Sequence, residues 1–314
     1  MKFIQDLREG AAVKDIYLCK QKTNATTKNG KEYINVILQD KTGTVDAKIW
    51  EPNSFGINDF EAHDYVYIAG EVTSFNGALQ VNIKQLRVAG EGEFSAMDYF
   101  PVSSKDIGEM FDELLKFIDS VENRDLKALL NAFFREDEEF VKAFKANSAA
   151  KTVHHGFIGG LLEHTLSVTK LCEYYSKAYP VLKRDLLITA AICHDIGKVR
   201  EFTPFPDNDY TDEGNLLGHI VMGSEMITEK IAKIDGFSPV LARELKHCIL
   251  AHHGKLEYGS PKMPSIAEAV ALNFADDTDA KLQMFTEIKN KTFDTEWLGF
   301  NKFLDTNIRM TKGE

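Results

Sequence analysis

The sequence is poor in cysteine and proline. Its 314 residues include 4 cysteines and 8 prolines. Cys19, Cys172, Cys193 and Cys248 lie far apart and form no CxxC pair. That excludes a disulfide-stapled scaffold and a thiolate zinc knot, and points to reduced thiols. Scarce proline excludes long rigid linkers. No apolar run approaches the roughly 18–20 residues of a membrane span. The opening MKFIQDLREGAAVKD is charged and has no apolar signal-peptide core, so a cytoplasmic protein with no membrane partner is expected. Positive charge is in deficit, with 37 Lys+Arg against 48 Asp+Glu and a net charge of −11. An acidic chain is no generic coat for polyanions. It still leaves room for a local basic strip, or for a metal site whose cations reverse the local field. No G-x-S-x-G elbow, P-loop or dinucleotide fingerprint occurs.

What is present is an ordinary globular composition, 44% apolar and 27% charged. The length allows two or three compact units. The first ~95 residues carry period-2 alternation in GKEYINVILQD (30–40), VDAKIW (45–50), DYVYIAGEVTSF (64–75) and ALQVNIKQLRVA (78–89). The Asn76–Gly77 pair between the last two is a hairpin signal. About five short strands imply a small closed barrel or a sandwich. GEGEF (90–94) is the expected linker. Beyond it the period becomes helical and stays so to the end, as in the stripe Ile107, Met110, Phe111, Leu114, Leu115 and Ile118.

Histidine is distributed unevenly. Of nine, only His63 lies outside 154–253. CHDIGK (193–198) follows the apolar run LLITAAI (186–192), so His194 and Asp195 can turn toward one point from a buried helix end. Four further segments fit around it. His164 lies in GGLLEHTLSV, His219 in GNLLGHIVMG, His252 and His253 in LAHHGKLEYGSP, and Asp276 and Asp277 in NFADDTDAKL. Buried aspartates need a partner, and a cation is the evident one. Imidazole with carboxylate suits Mn, Fe, Co, Ni or Zn.

The order H…HD…H…HH…D resembles the HD-domain superfamily of metal-dependent phosphohydrolases, over roughly 155–280. The resemblance implies an all-α domain holding one or two divalent ions. Manganese is favoured, with Co, Fe, Ni, Zn or Mg as alternatives. It implies His164, His194, Asp195 and Asp276 as ligands, joined by His219, His252 and His253 as in dinuclear members. Asp195 is the candidate bridge. A dinuclear centre can activate water and clamp both oxygens of an in-line displacement. Lys198 is a candidate for neutralising a phosphate oxygen, so Asp195, Lys198 and His194 are the expected catalytic residues. His154 and His155 are candidates for substrate contact or for a helix cap. His247 is expected off the site.

KQKTNATTKNGK (20–31) holds Lys20, Lys22, Lys28 and Lys31 with no acid. Lys48, Lys84 and Arg87 follow on neighbouring strands, and Tyr33, Trp50 and Phe75 are aromatic residues on or near strands. Basic strips with aromatic platforms bind single strands. Trp50 and Phe75 serve equally well as core. YINVILQDKTGTVDAKIW and the hairpin downstream resemble the nucleic-acid-binding OB fold of aminoacyl-tRNA synthetases. An OB fold followed by an HD domain resembles the YhaM-type 3′–5′ exoribonucleases. The resemblance implies a five-stranded OB-type β-barrel over 1–92, a helical connector over 93–150 and an all-α HD domain over 151–314. It implies Mn²⁺-dependent release of nucleoside 5′-monophosphates from single-stranded nucleic acid, RNA favoured, by a chain that can homo-oligomerise. Two other readings stand beside it. One is a phosphohydrolase for a nucleotide or cyclic nucleotide. The other is a non-catalytic nucleic-acid-binding protein with a structural metal.

Overall fold

The computed structural model describes residues 1–150, 155–291, 296–302 and 304–311. The chain divides into two units, Met1–Val102 and Ser103–Glu314.

In the first unit β1 (Ala12–Thr26), β2 (Glu32–Asp40), β3 (Gly43–Ile49), β4 (Tyr65–Phe75) and β5 (Ala78–Val88) close a barrel. The order is β1-β2-β3-β5-β4, with only the β3–β5 pair parallel. Alternation sets the interior: Val36 and Leu38 on β2, Val45, Ala47 and Ile49 on β3, and Val66, Ile68 and Val72 on β4 are all buried. β1 is the strand that alternation did not reveal. Its second half is polar on both faces, yet β2 supplies a continuous ladder from Gln21↔Ile37 to Thr26↔Glu32. A bulge between Cys19 and Gln21 leaves Lys20 as the extra residue. A second register shift falls at Gly70, where any Cβ would collide with the Asn82 carbonyl oxygen. Only glycine tolerates that approach.

The unit ends at Val102 and not at the expected residue 92. The intervening segment folds back onto the barrel. Arg87 grips Glu93 with two bonds of 2.7 and 2.8 Å. The Phe94 and Tyr99 rings pack on Tyr65, with centroids 3.8 and 4.8 Å away. The Gln39 amide donates to the Tyr99 carbonyl at 3.1 Å.

The second unit holds α1 (Ile107–Asp119), α2 (Arg124–Phe134), α3 (Glu138–Ala146), α4 (Gly160–Ala178), α5 (Arg184–Cys193), α6 (Lys198–Glu201), α7 (Asp212–Ile231), α8 (Pro239–Ala251) and α9 (Ala267–Lys291). Local chemistry starts several of them. Asp106, Asn123, Asp137, Thr211 and Ser238 each accept a backbone N–H at a helix N-terminus. The expected connector is no separate body, because Leu114, Leu130 and Phe144 share one core with Leu187 and Ile249. Every residue of α5 from Leu186 to Cys193 is buried, with α2, α4, α8 and α9 packed around it. A helix enclosed on all sides needs apolar residues all round, which is why LLITAAI has no polar stripe. The unit is not wholly α. β6 (Trp297–Asn301) and β7 (Thr306–Arg309) form an antiparallel hairpin. This corrects the expectation of helix to the end: the aromatic and β-branched residues of WLGF and TNIR suit a strand ladder.

Candidate metal centre and nucleic-acid interface

The end of α5 builds the centre of the second unit. His194 and Asp195 sit in the turn between α5 and α6, both essentially inaccessible. Gly197 in the same turn lies against α7. A Cβ there would strike the His219 carbonyl oxygen and the Gly223 nitrogen. Glycine therefore lets α7 approach and bring His219 to Asp195. α7 is itself kinked at Gly218 (φ 73°, ψ 157°), directly before His219.

Asp195 is the hub. Its Oδ2 meets Lys198 Nζ at 2.6 Å, His194 Nε2 at 3.3 Å and His164 Nε2 at 3.5 Å. Its Oδ1 faces His219 Nε2 at 3.4 Å and His252 Nε2 at 3.7 Å. His164 Nε2 also lies 3.1 Å from Asp276 Oδ1 and 3.2 Å from His194 Nε2. Ligand-type atoms within 4.8 Å of one another form three groups: His164–His194–Asp276 and His219–His252–His253, which both meet Asp195, and His155–His164–Asp279 beside them. His253 joins through its ring, 4.4 Å from that of His252.

The orientation of each imidazole is fixed from behind. Nδ1 of His194, His252 and His253 lies 2.7–2.8 Å from the carbonyl oxygens of Ala191, Ile249 and Tyr258. Carbonyls only accept, so Nδ1 carries the hydrogen and Nε2 is left to take a ligand; in His194 and His252 it faces Asp195. His164 and His219 use carboxylates instead, Asp279 at 2.7 Å and Glu201 at 3.0 Å. Sequence reading missed both. Asp279 follows Asp276 by three residues on α9, a spacing that shares one helix face. Asp277 instead faces outward to Lys281 at 2.7 Å. Glu201 ends α6, one turn after Lys198. Asn273, also missed, donates to the His252 carbonyl at 2.7 Å.

Asp195 Oδ1, His219 Nε2 and His252 Nε2 are buried with no hydrogen-bond partner. Bare nitrogens aimed at a carboxylate oxygen repel it and leave desolvated polar atoms unpaired. A divalent cation cures both faults, and the donor set of imidazole and carboxylate suits one. The residues present therefore fit a metal centre.

The electrostatics agree. Burial, with His253 and His194 alongside, drives His252 well below the ordinary imidazole range. Burial next to His219 lowers His253 too. Burial opposes charge on Asp195, but the Lys198 ammonium beside it outweighs burial and holds the carboxyl far down. His164 goes the other way. Burial opposes its charge, yet hydrogen bonds to Asp276 and Asp279 lift it to about 10. That position between carboxylates favours positive charge, which a bound cation would supply in place of a proton.

In the barrel, strand register aligns side chains across four strands. Thr23, Asn35, Lys48 and Asn82 form one row, and Gln21, Ile37, Asp46 and Gln80 the next. All of them but Asn82 line a depression of about 390 Å³, together with Phe75. Lys48 Nζ lies 5.1, 5.0 and 5.8 Å from the ring centres of Tyr33, Trp50 and Phe75. Tyr33 stacks on Trp50 with centroids 5.1 Å apart. Trp50 Nε1 donates to Asn82 at 3.2 Å. Trp50 is 42% and Phe75 62% exposed, so neither is core.

Residues 161–281 match the family model of the HD domain, and residues 18–89 that of the OB-fold nucleic acid binding domain. The chain joins an OB-fold domain to an HD domain. HD domains are metal-dependent phosphohydrolases, and the match over 161–281 supports a hydrolase. Several solved structures are similar over less than a third of the chain. The second OB-fold domain of replication protein A from Methanococcus maripaludis is 16% identical, covering 29% of this chain and 96% of that one, with a TM-score of 0.23. A mitochondrial single-stranded DNA binding protein from S. cerevisiae is 13% identical over 27% and 100%, with a TM-score of 0.22. An OB domain from Thermoplasma acidophilum is 16% identical over 29% and 88%, with a TM-score of 0.22.

The lysines of the OB-fold domain do not form the acid-free strip that the local sequence suggests. Folding brings acids beside three of them. Lys22 donates to the Phe60 carbonyl at 2.6 Å and pairs with Glu61 at 3.2 Å. Lys31 pairs with Glu51 at 3.1 Å and Lys84 with Glu71 at 3.8 Å. Lys20 on the β1 bulge and Lys28 in the following turn are exposed. In the HD domain, His155 is buried with Nε2 3.0 Å from Asp279. His154 lies outside the described residues. His247 is off the centre, accepting from the Ser265 N–H at 2.9 Å. No helix among the described residues is long and apolar enough to cross a membrane.

Proposed function

We propose that the protein is a metal-dependent 3′–5′ exonuclease that hydrolyses single-stranded nucleic acid, RNA in preference, to nucleoside 5′-monophosphates. One observation carries the chemistry: buried, bare Nε2 atoms of His219 and His252 aimed at an unpartnered Asp195 oxygen, in a chain that also carries an OB-fold domain. The polarity and the product rest on the likeness to YhaM-type enzymes.

His164, His194, Asp195 and Asp276 would hold one divalent ion, and His219, His252 and His253 a second that shares Asp195. Such ions supply Lewis acidity to the phosphodiester and lower the pKa of water. The rest falls to the chain. Carbonyls and carboxylates behind the rings keep each Nε2 aimed inward. Lys198, held positive against burial by Asp195, is available to balance charge growing on a phosphate oxygen. The exposed rings of Trp50 and Phe75, with half-buried Tyr33 stacked on Trp50, would stack bases while Lys48 meets the backbone, a mode tolerant of sequence. Joining the two activities in one chain raises the local concentration of the strand end after each cut.

The test is digestion of single-stranded RNA and DNA labelled at either end, with Mn²⁺. A 5′ label should pass into a ladder that shortens stepwise, while a 3′ label should appear at once as mononucleotide. Release of a 5′-terminal mononucleotide first, or cleavage confined to mononucleotides and cyclic nucleotides, would sink the reading. Asp195→Asn should keep strand binding and lose hydrolysis.

A further inference from the structure

Resting on that reading of the cation centre, we infer that Asp279 and Glu201 are positioning residues that each govern one of the two ion positions separately. The argument starts from the pattern behind the histidines. Three of the five rings are braced by backbone carbonyls, and one ring in each ligand group is braced by a carboxylate. Asp279 Oδ2 sits 2.7 Å from His164 Nδ1, in the group with His194 and Asp276. Glu201 Oε1 sits 3.0 Å from His219 Nδ1, in the group with His252 and His253. A carbonyl fixes the tautomer. A carboxylate fixes it and also makes the imidazole a stronger electron donor.

Both carboxylates are themselves held. Asp279 Oδ2 also meets His155 Nε2 at 3.0 Å, and His155 takes its place through a backbone N–H donated to Glu287 at 3.1 Å. This gives the buried His155 a role behind the centre in place of direct substrate contact. Glu201 Oε1 accepts the backbone N–H of His219 at 2.9 Å as well as its ring. It thereby locks the residue that follows the Gly218 kink. Among the described residues, no side-chain hydrogen bond or ion pair of Asp279 reaches the His219 group, and none of Glu201 reaches the His164 group. The two braces therefore act on different ions.

Mn²⁺ titration into the full-length chain after metal removal, followed calorimetrically and by the electron paramagnetic resonance of bound ion, tests this. The variants are Asp279→Asn, Asp279→Ala, Glu201→Gln and Glu201→Ala, with circular dichroism to establish the fold. The amides keep an acceptor and lose the charge. About 10-fold weaker binding at one site is expected for the amides and up to about 100-fold for the alanines. Each single variant should retain one Mn²⁺ at parental affinity and lose the spin coupling between ions. Combining the two amides should weaken both sites. Parental affinity at both sites in every variant would overturn the inference and leave the centre standing. Equal weakening of both sites by either variant would overturn the separate control. Where an alanine variant unfolds, its amide counterpart decides. A parental chain that binds no Mn²⁺ would overturn the centre itself, and this inference with it.

Discussion

The two units place their chemistry in opposite ways. The barrel exposes it: Tyr33, Trp50, Phe75 and Lys48 stand on the outside of a sheet whose other face is the core. The helical unit buries it: His164, His194, Asp195 and His252 are as inaccessible as the leucines around them. A strand sends alternate residues to opposite faces, so binding and folding can be altered independently. In the helical unit the same turn that ends α5 carries the hub of the site and closes the core. Function and stability are there one problem.

The widest gap between the units should appear on disabling the hub. Asp195→Asn is expected to lower kcat/KM by about 10²–10³-fold, the scale of removing one preorganised charge from a reacting centre. Chelation of the parent should abolish hydrolysis, with recovery on adding Mn²⁺. Retention of full activity by the variant would remove Asp195 from the mechanism.

Gly197→Ala probes the link between stability and site. The added methyl has nowhere to go between the turn and α7. Overpacking of this kind costs about 1–3 kcal/mol, or roughly 2–10 °C in Tm for a unit of this size. Because the atom struck belongs to His219, Mn²⁺ affinity should fall with Tm. A parental Tm with weakened metal binding would show that the turn serves the centre alone.

The barrel should behave differently. Trp50→Ala and Phe75→Ala each remove a base platform, for which stacking is worth about 1–3 kcal/mol per base. KM on long single strands should rise roughly 5- to 150-fold. kcat on a dinucleotide and Tm should hold. Lys48→Ala should reduce the slope of log K against log salt by about 1. Lys31→Ala and Lys84→Ala should change it little, because Glu51 and Glu71 already neutralise those charges. A steep loss with either would restore the basic strip that local sequence suggested.

What could be read in advance follows the same division. The helices were legible because capping residues and a 3.6-residue period are local. The HD turn was legible because an apolar run leads straight into it. Asp279 and Glu201 were not, because a carboxylate on a polar helix reads as surface until its histidine is found 115 or 18 positions away. β1 was hidden for a like reason: a strand polar on both faces owes its ladder to a partner. The lysine strip was misread because charge balance in a barrel is set across strands. Glu51, Glu61 and Glu71 are remote in sequence and adjacent in space.

The smallest effect contrasts two surface carboxylates, one per unit. In the barrel, Arg87 and the Gly90 N–H hold Glu93 down to about 2. In the helical unit, Lys230 and the Phe140 N–H hold Asp137 below the usual range. Both folded values are depressed, so each contribution is complete above the unfolded carboxylate pKa of about 4 and disappears as pH falls through the folded value. Glu93→Gln and Asp137→Asn should therefore flatten the acid limb of stability measured between about pH 4.5 and 2. The two should part company in salt. Glu93 is exposed, and salt at about 1 M should erase its share by screening. Asp137 also caps α3 by accepting from Phe140 at 3.0 Å, and capping survives screening. Asp137→Ala should still cost about 1 kcal/mol at high salt. Loss of both effects in salt would make Asp137 an ordinary surface pair.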